Sequence, residues 1–314
     1  MDVVPETPAA NNRRPLVSVV IAAYHSAAFL PRCLASIEAQ TFRDFETILV
    51  NSSPDPGLET AGVAAAFPWV RFVQNPERLF PHAARNVGVS MARGSLLVFT
   101  DADCEADRGW LASLVAAHDS GHDIIGGCID SKATRNISCG IHILKYSPYL
   151  RGKPAGPIPI AATGNLLTSR RVWEVAGPFD GSIFCGDALF SWKAREAGFI
   201  PWYEPKAIVI DQDEQYRAGF FFERFRRGKE FGRVRADFER WGILRRGLGI
   251  ACFPLATFAA LAKTGRECLR SGRFADFVAT LPFQVAAKAA WCAGEALGYV
   301  ATTDVARGGP TRIP

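Results

Sequence analysis

The stretch Leu96-Leu97-Val98-Phe99-Thr100-Asp101-Ala102-Asp103-Cys104 governs the interpretation of the whole chain. Its uncharged, strand-favouring residues are typical of a buried parallel strand, and the aspartates that follow place two carboxylates at the strand's carboxyl end. In open α/β sheets this end borders the ligand-binding crevice, and paired carboxylates there suit Mg²⁺ or Mn²⁺, which can bridge a diphosphate. An alternative remains at this point: Asp101 and Asp103 could simply begin a turn, where aspartate is common.

The composition predicts a large globular domain with a local excess of positive charge. Hydrophobic residues make up 48% of the 314 residues, and the formal net charge is +5. Residues 217–246 contain ten Arg or Lys and four Asp or Glu, a surplus of six, so the remainder is close to neutral. A basic block beside a neutral globule favours an anionic membrane surface as partner, and no nucleic-acid motif accompanies it.

The cysteines and the amino-terminal residues bear on the cellular compartment. The eight cysteines lie far apart, with no Cys-x-x-Cys pair and no histidine at zinc spacing, which is typical of reduced core thiols. Residues 1–15 are polar, contain proline and lack a hydrophobic run, so we expect a disordered tail rather than a signal peptide or an anchor. Both features favour a cytoplasmic protein.

Two earlier strands are predicted to end at the same edge as the aspartate pair. Residues 17–23 form a β-branched run that ends in small residues, and residues 47–50 form a second strand that ends in short polar ones. The residues at these two exits are Ala22, Ala23 and Tyr24, and Asn51 and Ser52. The polar pair favours a turn and can also hydrogen-bond a base or ribose. Because strands and helices alternate, we predict a doubly wound, mainly parallel α/β sheet with helices on both faces.

Two charged residues at helix starts are further candidates. Arg85 falls in the first turns of a predicted helix, where a cation opposes the helix dipole. A phosphate or carboxylate partner would justify that position, and an ordinary surface ion pair is the alternative. Asp187 lies at the start of a later helix, where an N-cap role is the ordinary explanation and does not exclude a catalytic one.

The second half of the domain is less regular in its pattern. Residues 131–159 show few periodic signals and four prolines from Pro148 onward, so they are interpreted as an irregular, substrate-facing loop. Residues 199–203 and 207–210 are predicted as two separate short strands.

Several motifs occur in one order along the chain. They are Val-Ser-Val-Val-Ile-Ala-Ala-Tyr-His ending at His25, Gln40-Thr41-Phe42, Ala84-Arg85-Asn86-Val87-Gly88, Phe99-Thr100-Asp101-Ala102-Asp103-Cys104, Gly164-Asn165, and Gly177-Pro178-Phe179-Asp180 before Asp187. In this order they resemble family 2 glycosyltransferases, which are inverting enzymes of the GT-A, or nucleotide-diphospho-sugar transferase, fold. The resemblance covers roughly residues 16–235.

The resemblance implies a role for each matching residue. Asp103 would coordinate the divalent ion on the donor's diphosphate, and Asp101 would bind the ribose or help to hold the metal. Asp187 would be the general base that deprotonates the acceptor hydroxyl, so that direct displacement inverts the anomeric centre. The residues implied in nucleotide-sugar binding are Ala22, Ala23, Tyr24, Asn51, Ser52, Arg85, Asp101 and Ala102.

The chain departs from the family pattern at three places. An acidic pair usually stands where this chain has Asn51 and Ser52, which bears on the choice of base. A glutamate commonly precedes the catalytic aspartate, and Gly186 takes its place here. A histidine often follows the last strand, where this chain has Asp211; that carboxylate is a candidate third metal ligand, with a solvated turn as the alternative.

Residues 216–314 are predicted to form a basic and apolar helical appendage to a GT-A glycosyltransferase domain at residues 16–215. Aromatic residues alternate with Arg and Lys at 216–241, and residues 247–262 are uncharged but too few to span a bilayer. Residues 277–300 are also mostly apolar. We expect these helices to lie in or dip into a bilayer face, and packing against the catalytic domain is the alternative.

Together these features predict transfer from a nucleotide sugar, with UDP-sugar as the expected donor, to a glycan or lipid-linked hydroxyl. The setting would be cell-surface glycan or glycolipid synthesis at the inner face of the cell membrane. Only Arg240-Trp241 of the Gln-x-x-Arg-Trp pattern of processive synthases is present, which favours single additions.

Three other functional classes compete with this interpretation. A metal-dependent phosphohydrolase also places Asp-x-Asp after an apolar strand, although usually near the start of the chain and with Thr or Val two residues later. A sugar-phosphate nucleotidyltransferase shares the fold, but its Gly-rich first loop is missing after Ala22. A non-catalytic, membrane-associated homologue is raised by Asn51, Ser52 and Gly186 and opposed by the intact aspartates.

Overall fold

The computed structural model describes residues 14–53, 58–212 and 218–300, so the predicted tail at residues 1–15 lies almost wholly outside the described residues. A mixed α/β sheet with flanking helices is followed by a helical region. The strands are β1 (Val17–Ala23), β2 (Phe45–Asn51), β3 (Val70–Gln74), β4 (Leu96–Asp101), β5 (Cys104–Ala106), β6 (Ile124–Asp130), β7 (Gly156–Pro157), β8 (Asn165–Ser169) and β9 (Trp202–Asp211). The helices are α1 (Leu30–Glu38), α2 (Leu58–Ala65), α3 (Pro81–Met91), α4 (Trp110–Asp119), α5 (Ile137–Tyr146), α6 (Arg170–Ala176), α7 (Gly186–Glu196), α8 (Phe220–Phe238), α9 (Ile243–Ala251), α10 (Phe253–Arg270), α11 (Phe274–Ala279) and α12 (Leu281–Gly298).

The strand order brings the predicted exits to one edge of the sheet. It is β3-β2-β1-β4-β8-β6-β9-β5, with β7 beside β9. The first four strands are parallel, whereas β8 runs antiparallel to β4. Because of that reversal, the beginning of β8 lies beside the end of β4, where Asn165 pairs with Thr100. The sequence-based prediction of an α/β sheet with helices on both faces and a helical appendage is confirmed.

The central strands form the core because both of their faces are covered. The side chains of Val17, Val19, Val20 and Ile21 in β1 are fully buried, as expected for a parallel strand between two helical layers. Gly88 allows α3 to approach this strand, since a Cβ atom at that position would lie under 3.0 Å from Val20. The packing of α3 on β1 therefore depends on a residue of the Arg-Asn-x-Gly motif.

The prediction of an irregular loop at residues 131–159 is wrong. The segment contains α5, a 3₁₀ turn at Ser147–Tyr149 and the short strand β7. Asn136 caps α5 by accepting a hydrogen bond from the Cys139 amide at 2.9 Å. Residues 139–144 of α5 are all buried, so these six consecutive positions do not alternate between buried and exposed as in a surface helix.

The two short strands predicted at residues 199–203 and 207–210 are one strand, β9. It pairs with β6 in two stretches, and the register shifts between Gly127 and Cys128. Glu204 is the partner of Gly127 and Ile208 the partner of Cys128, so Pro205 lies in the extra residues between them. A proline cannot donate to the ladder, and the irregularity accommodates it without ending the strand.

Helices α8 and α12 pack with their backbones in close approach. A Cβ atom at Gly228 or Gly232 of α8 would lie under 3.0 Å from a backbone carbonyl of α12, and the same holds for Gly294 of α12 against α8. Aromatic rings extend the contact to the sheet domain, where Phe231 and Phe238 of α8 lie 5.5 Å from Trp192 of α7 between ring centroids. Part of the appendage therefore packs against the domain, which was the alternative to membrane contact.

The surface of α9 and α10 is different, because large apolar side chains remain in solvent. Ile243 is 89% exposed, Leu244 84% and Phe258 70%. Within the described ranges, no helix taken alone combines the length and the apolar composition needed to cross a bilayer; α9 and α10 taken together do, with a bend of 69° between them. The predicted domain boundary at 215/216 lies among residues 213–217, outside the described part of the chain.

Candidate active site

The predicted aspartates converge on one cleft at the carboxyl ends of β1 and β4. Asp101 is the last residue of β4, Asp103 lies in the turn that follows, and Asp187 lies in the first turn of α7. All three line a cavity of about 350 Å³. Three carboxylates separated by up to 86 positions in the sequence therefore face the same space, as the motif order predicts.

Asp103 carries the electrostatic signature of a cation site. Burial, followed by repulsion from Asp101 and Asp211, raises the pKa of its carboxyl to about 7, while Lys145 acts in the opposite direction. Possible ligand atoms of Asp101, Asp103 and Cys104 lie within 4.8 Å of one another. Burial raises the pKa of the Cys104 thiol well above its usual range, so the two carboxylates are the chemically suitable ligands. A divalent cation would fit here because it would offset the repulsion between them.

Arg85 is paired with Asp101, which supplies the carboxylate partner that its position in α3 required. Its guanidinium Nη2 donates to the Asp101 carboxylate, and the Arg85 side chain is only 4% exposed. His82, one turn earlier, is neutral because burial and the charge of Arg85 lower its pKa to about 3. Its Nε2 lies 3.2 Å from the Phe184 carbonyl, so it holds the loop that leads into α7.

Asp187 is the second residue of α7, and its carboxyl is partly buried. The prediction that it could be an N-cap is wrong, because the helix begins at Gly186 and Cys185 is the cap residue. Its Oδ1 accepts a hydrogen bond from the Ala188 amide at 2.8 Å. Burial raises the pKa of the Asp187 carboxyl and outweighs the opposing effects of Ala188 and Arg85. The carboxylate is therefore a stronger base than an ordinary aspartate.

A second cleft of about 390 Å³ adjoins the first. Five residues line both clefts: Asp101, Thr163, Phe184, Asp187 and Arg227. The second cleft extends from this junction toward the 3₁₀ turn, α8 and α12. Asp187 therefore lies at the junction of the two clefts, together with Asp101 of the candidate cation site.

The chain was compared with models of known protein families. The model of glycosyl transferase family 2 matches residues 18–175, half of the chain. The chain belongs to this family.

Relatives within the known proteins are also glycosyltransferases. The chain is 27% identical over 191 residues to glycosyltransferase AglE of Haloferax volcanii, covering 59% of this chain and 63% of AglE. It is 24% identical over 307 residues to the pre-mycofactocin glycosyltransferase of Mycobacterium tuberculosis, covering 88% and 62% respectively. The chain thus spans less than two thirds of the length of these curated relatives.

Solved structures show that this family 2 protein has the GT-A fold. The mannosyltransferase PcManGT from Pyrobaculum calidifontis, in complex with GDP-Man and Mn²⁺, superposes with a TM-score of 0.57 at 19% identity and covers 87% of this chain and 88% of its own. GalNAc-T7 with UDP, GalNAc and Mn²⁺ gives a TM-score of 0.51 at 19% identity, covering 64% and 44%.

Most nucleotide-binding residues expected for a family 2 protein line the first cleft. Those are Ala22, Ala23, Tyr24, Ser52, Arg85, Asp101 and Ala102. Asn51 is fully buried behind them, where its Nδ2 donates to Gln74 at 2.9 Å and its Oδ1 accepts from the Ser53 hydroxyl at 2.9 Å. A base contact by Asn51 stays a prediction, and it would require this amide to exchange a partner.

Asp211 is likewise set back from the cleft of the family 2 site. Its carboxylate lies 3.6 Å from Lys145 Nζ and is outside the group of candidate ligand atoms. It contributes negative charge near Asp103, so it acts on the cation site at a distance. Direct coordination by Asp211 stays a prediction.

Gly186, which replaces the usual glutamate, has a local steric reason. A Cβ atom there would lie 2.7 Å from the His82 ring, so the position does not admit a side chain while His82 stays in place.

The sequence did not indicate several residues of the cleft. The Arg78 guanidinium lies 4.7 Å from the centre of the Tyr24 ring, and Arg227 of α8 lies 4.8 Å from the centre of the Phe184 ring. Arg78 follows β3, which pairs with β2. Its position after a strand next to the nucleotide-binding exits could have indicated a place in the first cleft. Arg227 comes from the appendage and has no local signal that would connect it to the site.

Proposed function

We propose that this family 2 protein transfers a sugar from a nucleoside diphosphate sugar to an acceptor hydroxyl, with inversion at the anomeric carbon. The observation that carries the proposal is the position of Asp187, which lines both clefts and shares the first with Asp101 and Asp103. In this arrangement the donor occupies the first cleft and the acceptor enters from the second.

The reaction is a single displacement. The acceptor oxygen forms a bond to the anomeric carbon while the bond from that carbon to the β-phosphate oxygen breaks, and its electron pair leaves with the nucleoside diphosphate. Asp187, whose pKa is raised by burial, takes the acceptor's proton. Mg²⁺ or Mn²⁺ held by Asp103 and Asp101 would supply positive charge for the leaving diphosphate. Arg85 holds Asp101 in place for this role.

The donor is proposed to be a UDP-sugar. The ring of Tyr24 and the hydroxyl of Ser52 lie at the strand exits, where they can contact the base or the ribose. Of the two solved structures, one contains GDP-Man and the other UDP. Direct comparison of UDP and GDP is therefore part of the test.

The acceptor is proposed to be a glycan or a lipid-linked hydroxyl at the inner face of the cell membrane. Support comes from the exposed apolar side chains of α9 and α10 and from the exposed cations Lys263, Arg266 and Arg270 on α10. An apolar face bordered by cations complements an anionic bilayer. This position would present the second cleft to acceptors made at the membrane.

The deciding experiment uses the full chain with UDP and GDP, each titrated by calorimetry with Mn²⁺, with Mg²⁺ and with EDTA. We expect metal-dependent binding that is lost in Asp103→Ala and retained in Asp187→Asn. A panel of nucleotide sugars then identifies the donor by turnover, and the anomeric configuration of the product is determined by NMR. Metal-independent nucleotide binding, or a product of retained configuration, would contradict the proposal.

A further inference from the structure

Four basic side chains line the second cleft. Lys145 pairs with Asp211 at 3.6 Å, and the other three come from the helical appendage. Arg224 and Arg227 project from α8, and Lys288 projects from α12. Arg227 also lines the first cleft, whereas Arg224 and Lys288 line the second alone of the two. The second cleft therefore has its own positive charge, apart from any charge available to the donor's diphosphate.

The partners that these cations have in the described part of the chain leave much of their hydrogen-bonding capacity free. The Nε atoms of Arg224 and Arg227 are shielded from solvent and have no hydrogen-bond partner among the residues that the structure describes. The Arg224 guanidinium lies 4.3 Å from the centre of the Trp291 ring, and Arg227 pairs with Glu223 at 2.5 Å. Lys288 makes no ion pair within the described residues.

Three acids line the second cleft, and each has partners of its own. Asp101 pairs with Arg85. Glu230 Oε1 accepts hydrogen bonds from the amides of Phe184 and Cys185 at 2.6 and 3.2 Å. Asp187 accepts from Ala188 and is the proposed base. Among the described residues, none of the three acids forms an ion pair with Arg224 or Lys288.

The local electrostatics show the same uncompensated charge. Burial, followed by repulsion from Arg224, lowers the pKa of Lys288 to about 8. Burial, followed by repulsion from Arg227, lowers the pKa of Arg224 to about 10. Like charges confined in a concave site raise its energy unless an anion joins them.

We propose that the second cleft binds an acceptor bearing a phosphate or diphosphate group, which Arg224 and Lys288 hold while the acceptor hydroxyl lies at Asp187. The inference rests on the proposed function, because it takes Asp187 as the base and the second cleft as the acceptor side. A multiply charged oxyanion can interact with several cations at once, and one guanidinium group can donate two hydrogen bonds to two oxygens of a phosphate. The rings of Trp291 and Tyr149, which line the same cleft, provide an apolar surface for the body of the acceptor.

The first arm of the test measures anion binding without relying on transferase activity. Inorganic pyrophosphate is titrated by calorimetry into the full-length Asp103→Ala protein in EDTA, which removes the metal-assisted donor site. We expect Lys288→Met and Arg224→Gln, each added to this background, to weaken binding about tenfold or more, and Lys288→Arg to retain it. Arg226→Gln, an exposed cation of α8, and Arg78→Gln, on the wall of the first cleft, are the controls and should leave the affinity unchanged.

The pH dependence of this binding has a defined direction. Lys288 carries its charge below about pH 8 and loses it above, so affinity for sulfate, which stays dianionic throughout, should fall as the pH rises through 8. Arg224 of α8 and Lys263 of α10 disfavour the charged form of Lys288, and the neighbouring thiols Cys268 and Cys292 stay neutral because their own pKa values are raised. The Lys288→Arg protein should lose this pH dependence.

The second arm identifies the source of the phosphate group. A hexose 1-phosphate in solution and a polyprenyl phosphate in detergent are each tested in competition with pyrophosphate. The compound that displaces pyrophosphate identifies the class of acceptor. In the active enzyme, Lys288→Met should then raise the acceptor KM while the donor KM stays the same. Thermal unfolding measurements check that each variant is folded. If Lys288→Met does not fold, Arg224→Gln replaces it in the kinetic measurement.

Two results would overturn the inference. One is a pyrophosphate affinity that is the same in the Asp103→Ala protein with and without Lys288→Met or Arg224→Gln, or that falls equally when Arg226→Gln is added. The other is displacement by neither phosphate compound. Failure of the proposed function would be recognised separately, as absent binding of UDP and GDP. The pyrophosphate titration of the first arm does not depend on that binding.

Discussion

The side-chain amide of Asn86 holds the backbone of Phe179 from both sides. Its Nδ2 donates to the Phe179 carbonyl at 2.8 Å, and its Oδ1 accepts from the Phe179 amide at 3.1 Å. Asn86 lies next to Arg85 on α3, and Phe179 begins the loop that leads into α7, whose second residue is Asp187. The donor side of the site and the proposed base are therefore held in register by one amide group.

Replacing Asn86 should disturb this register. Asn86→Ala removes both hydrogen bonds and leaves two backbone groups without partners, which costs about 2–4 kcal/mol in the free energy of unfolding. We expect turnover to fall more than donor affinity, since the displaced loop leads directly into the first turn of α7, which carries Asp187. Urea denaturation and steady-state kinetics measure the two effects. Ser90→Ala, also on α3 but exposed, is the control, and an unchanged turnover in stable Asn86→Ala would refute the positioning role.

The second prediction concerns the proposed base. Asp187→Asn should lower kcat by about 10²–10⁴-fold and leave the nucleotide Kd unchanged, because proton removal is lost while the donor cleft is intact. Burial raises the pKa of Asp187, and the base acts when deprotonated, so the wild-type rate should fall as the pH drops through a pKa above that of an ordinary aspartate. This acid limb should vanish in Asp187→Asn. Asp180→Asn, in the loop that leads into α7, is the matched control. Similar losses of donor affinity and turnover in Asp187→Asn would show that Asp187 is not the base.

The third prediction tests why Gly186 replaces a glutamate. Gly186→Ala should destabilise the protein by about 1–3 kcal/mol, because the new Cβ would lie 2.7 Å from the His82 ring. His82→Ala frees that space, so the double variant should be more stable than the sum of the two single effects predicts. Urea unfolding of the four proteins measures the coupling. Gly62→Ala, which places a methyl group in open space, is the control, and strict additivity would contradict the steric explanation.

The fourth prediction concerns the helix pair α8 and α12. Gly232→Ala or Gly294→Ala would bring a methyl group under 3.0 Å from a carbonyl of the opposite helix. The helices must then separate, and we expect the free energy of unfolding to fall by about 1–3 kcal/mol. Gly247→Ala in α9 meets nothing within 4 Å and should be neutral or slightly stabilising. Equal unfolding midpoints in all three variants would show that the helix contact is not tight.

The last prediction addresses the membrane. The full chain should co-sediment with vesicles that contain anionic lipid, and the bound fraction should decrease at high salt because part of the attraction is electrostatic. Leu244→Ser combined with Phe258→Ser should weaken binding about tenfold or more, since both side chains are exposed and available for burial in lipid. Val175→Ser, 55% exposed on α6, is the control. Binding that is absent or insensitive to salt would count against the proposed location.

The sequence was informative where a local pattern and a structural rule coincide. Asp101 and Asp103 follow an apolar strand, and the carboxyl ends of parallel strands share one edge, so their meeting with the exit of β1 followed from the pattern. The pattern failed at α5, where six consecutive residues are buried, and at β9, which was predicted as two strands on either side of Pro205. It also could not show that Asn51 bonds to Gln74 and Ser53.

By itself, then, the sequence determined the family, the α/β sheet and the aspartates that meet in the cleft, because strand propensity and the order of motifs are written in consecutive residues. Only the tertiary structure decided the wall of the second cleft. Arg224, Lys288 and Asp187 come from three helices far apart in the chain, and their proximity depends on the packing of glycine faces between α8 and α12. A residue's neighbours across such a contact are set by packing geometry, which no short stretch of sequence encodes.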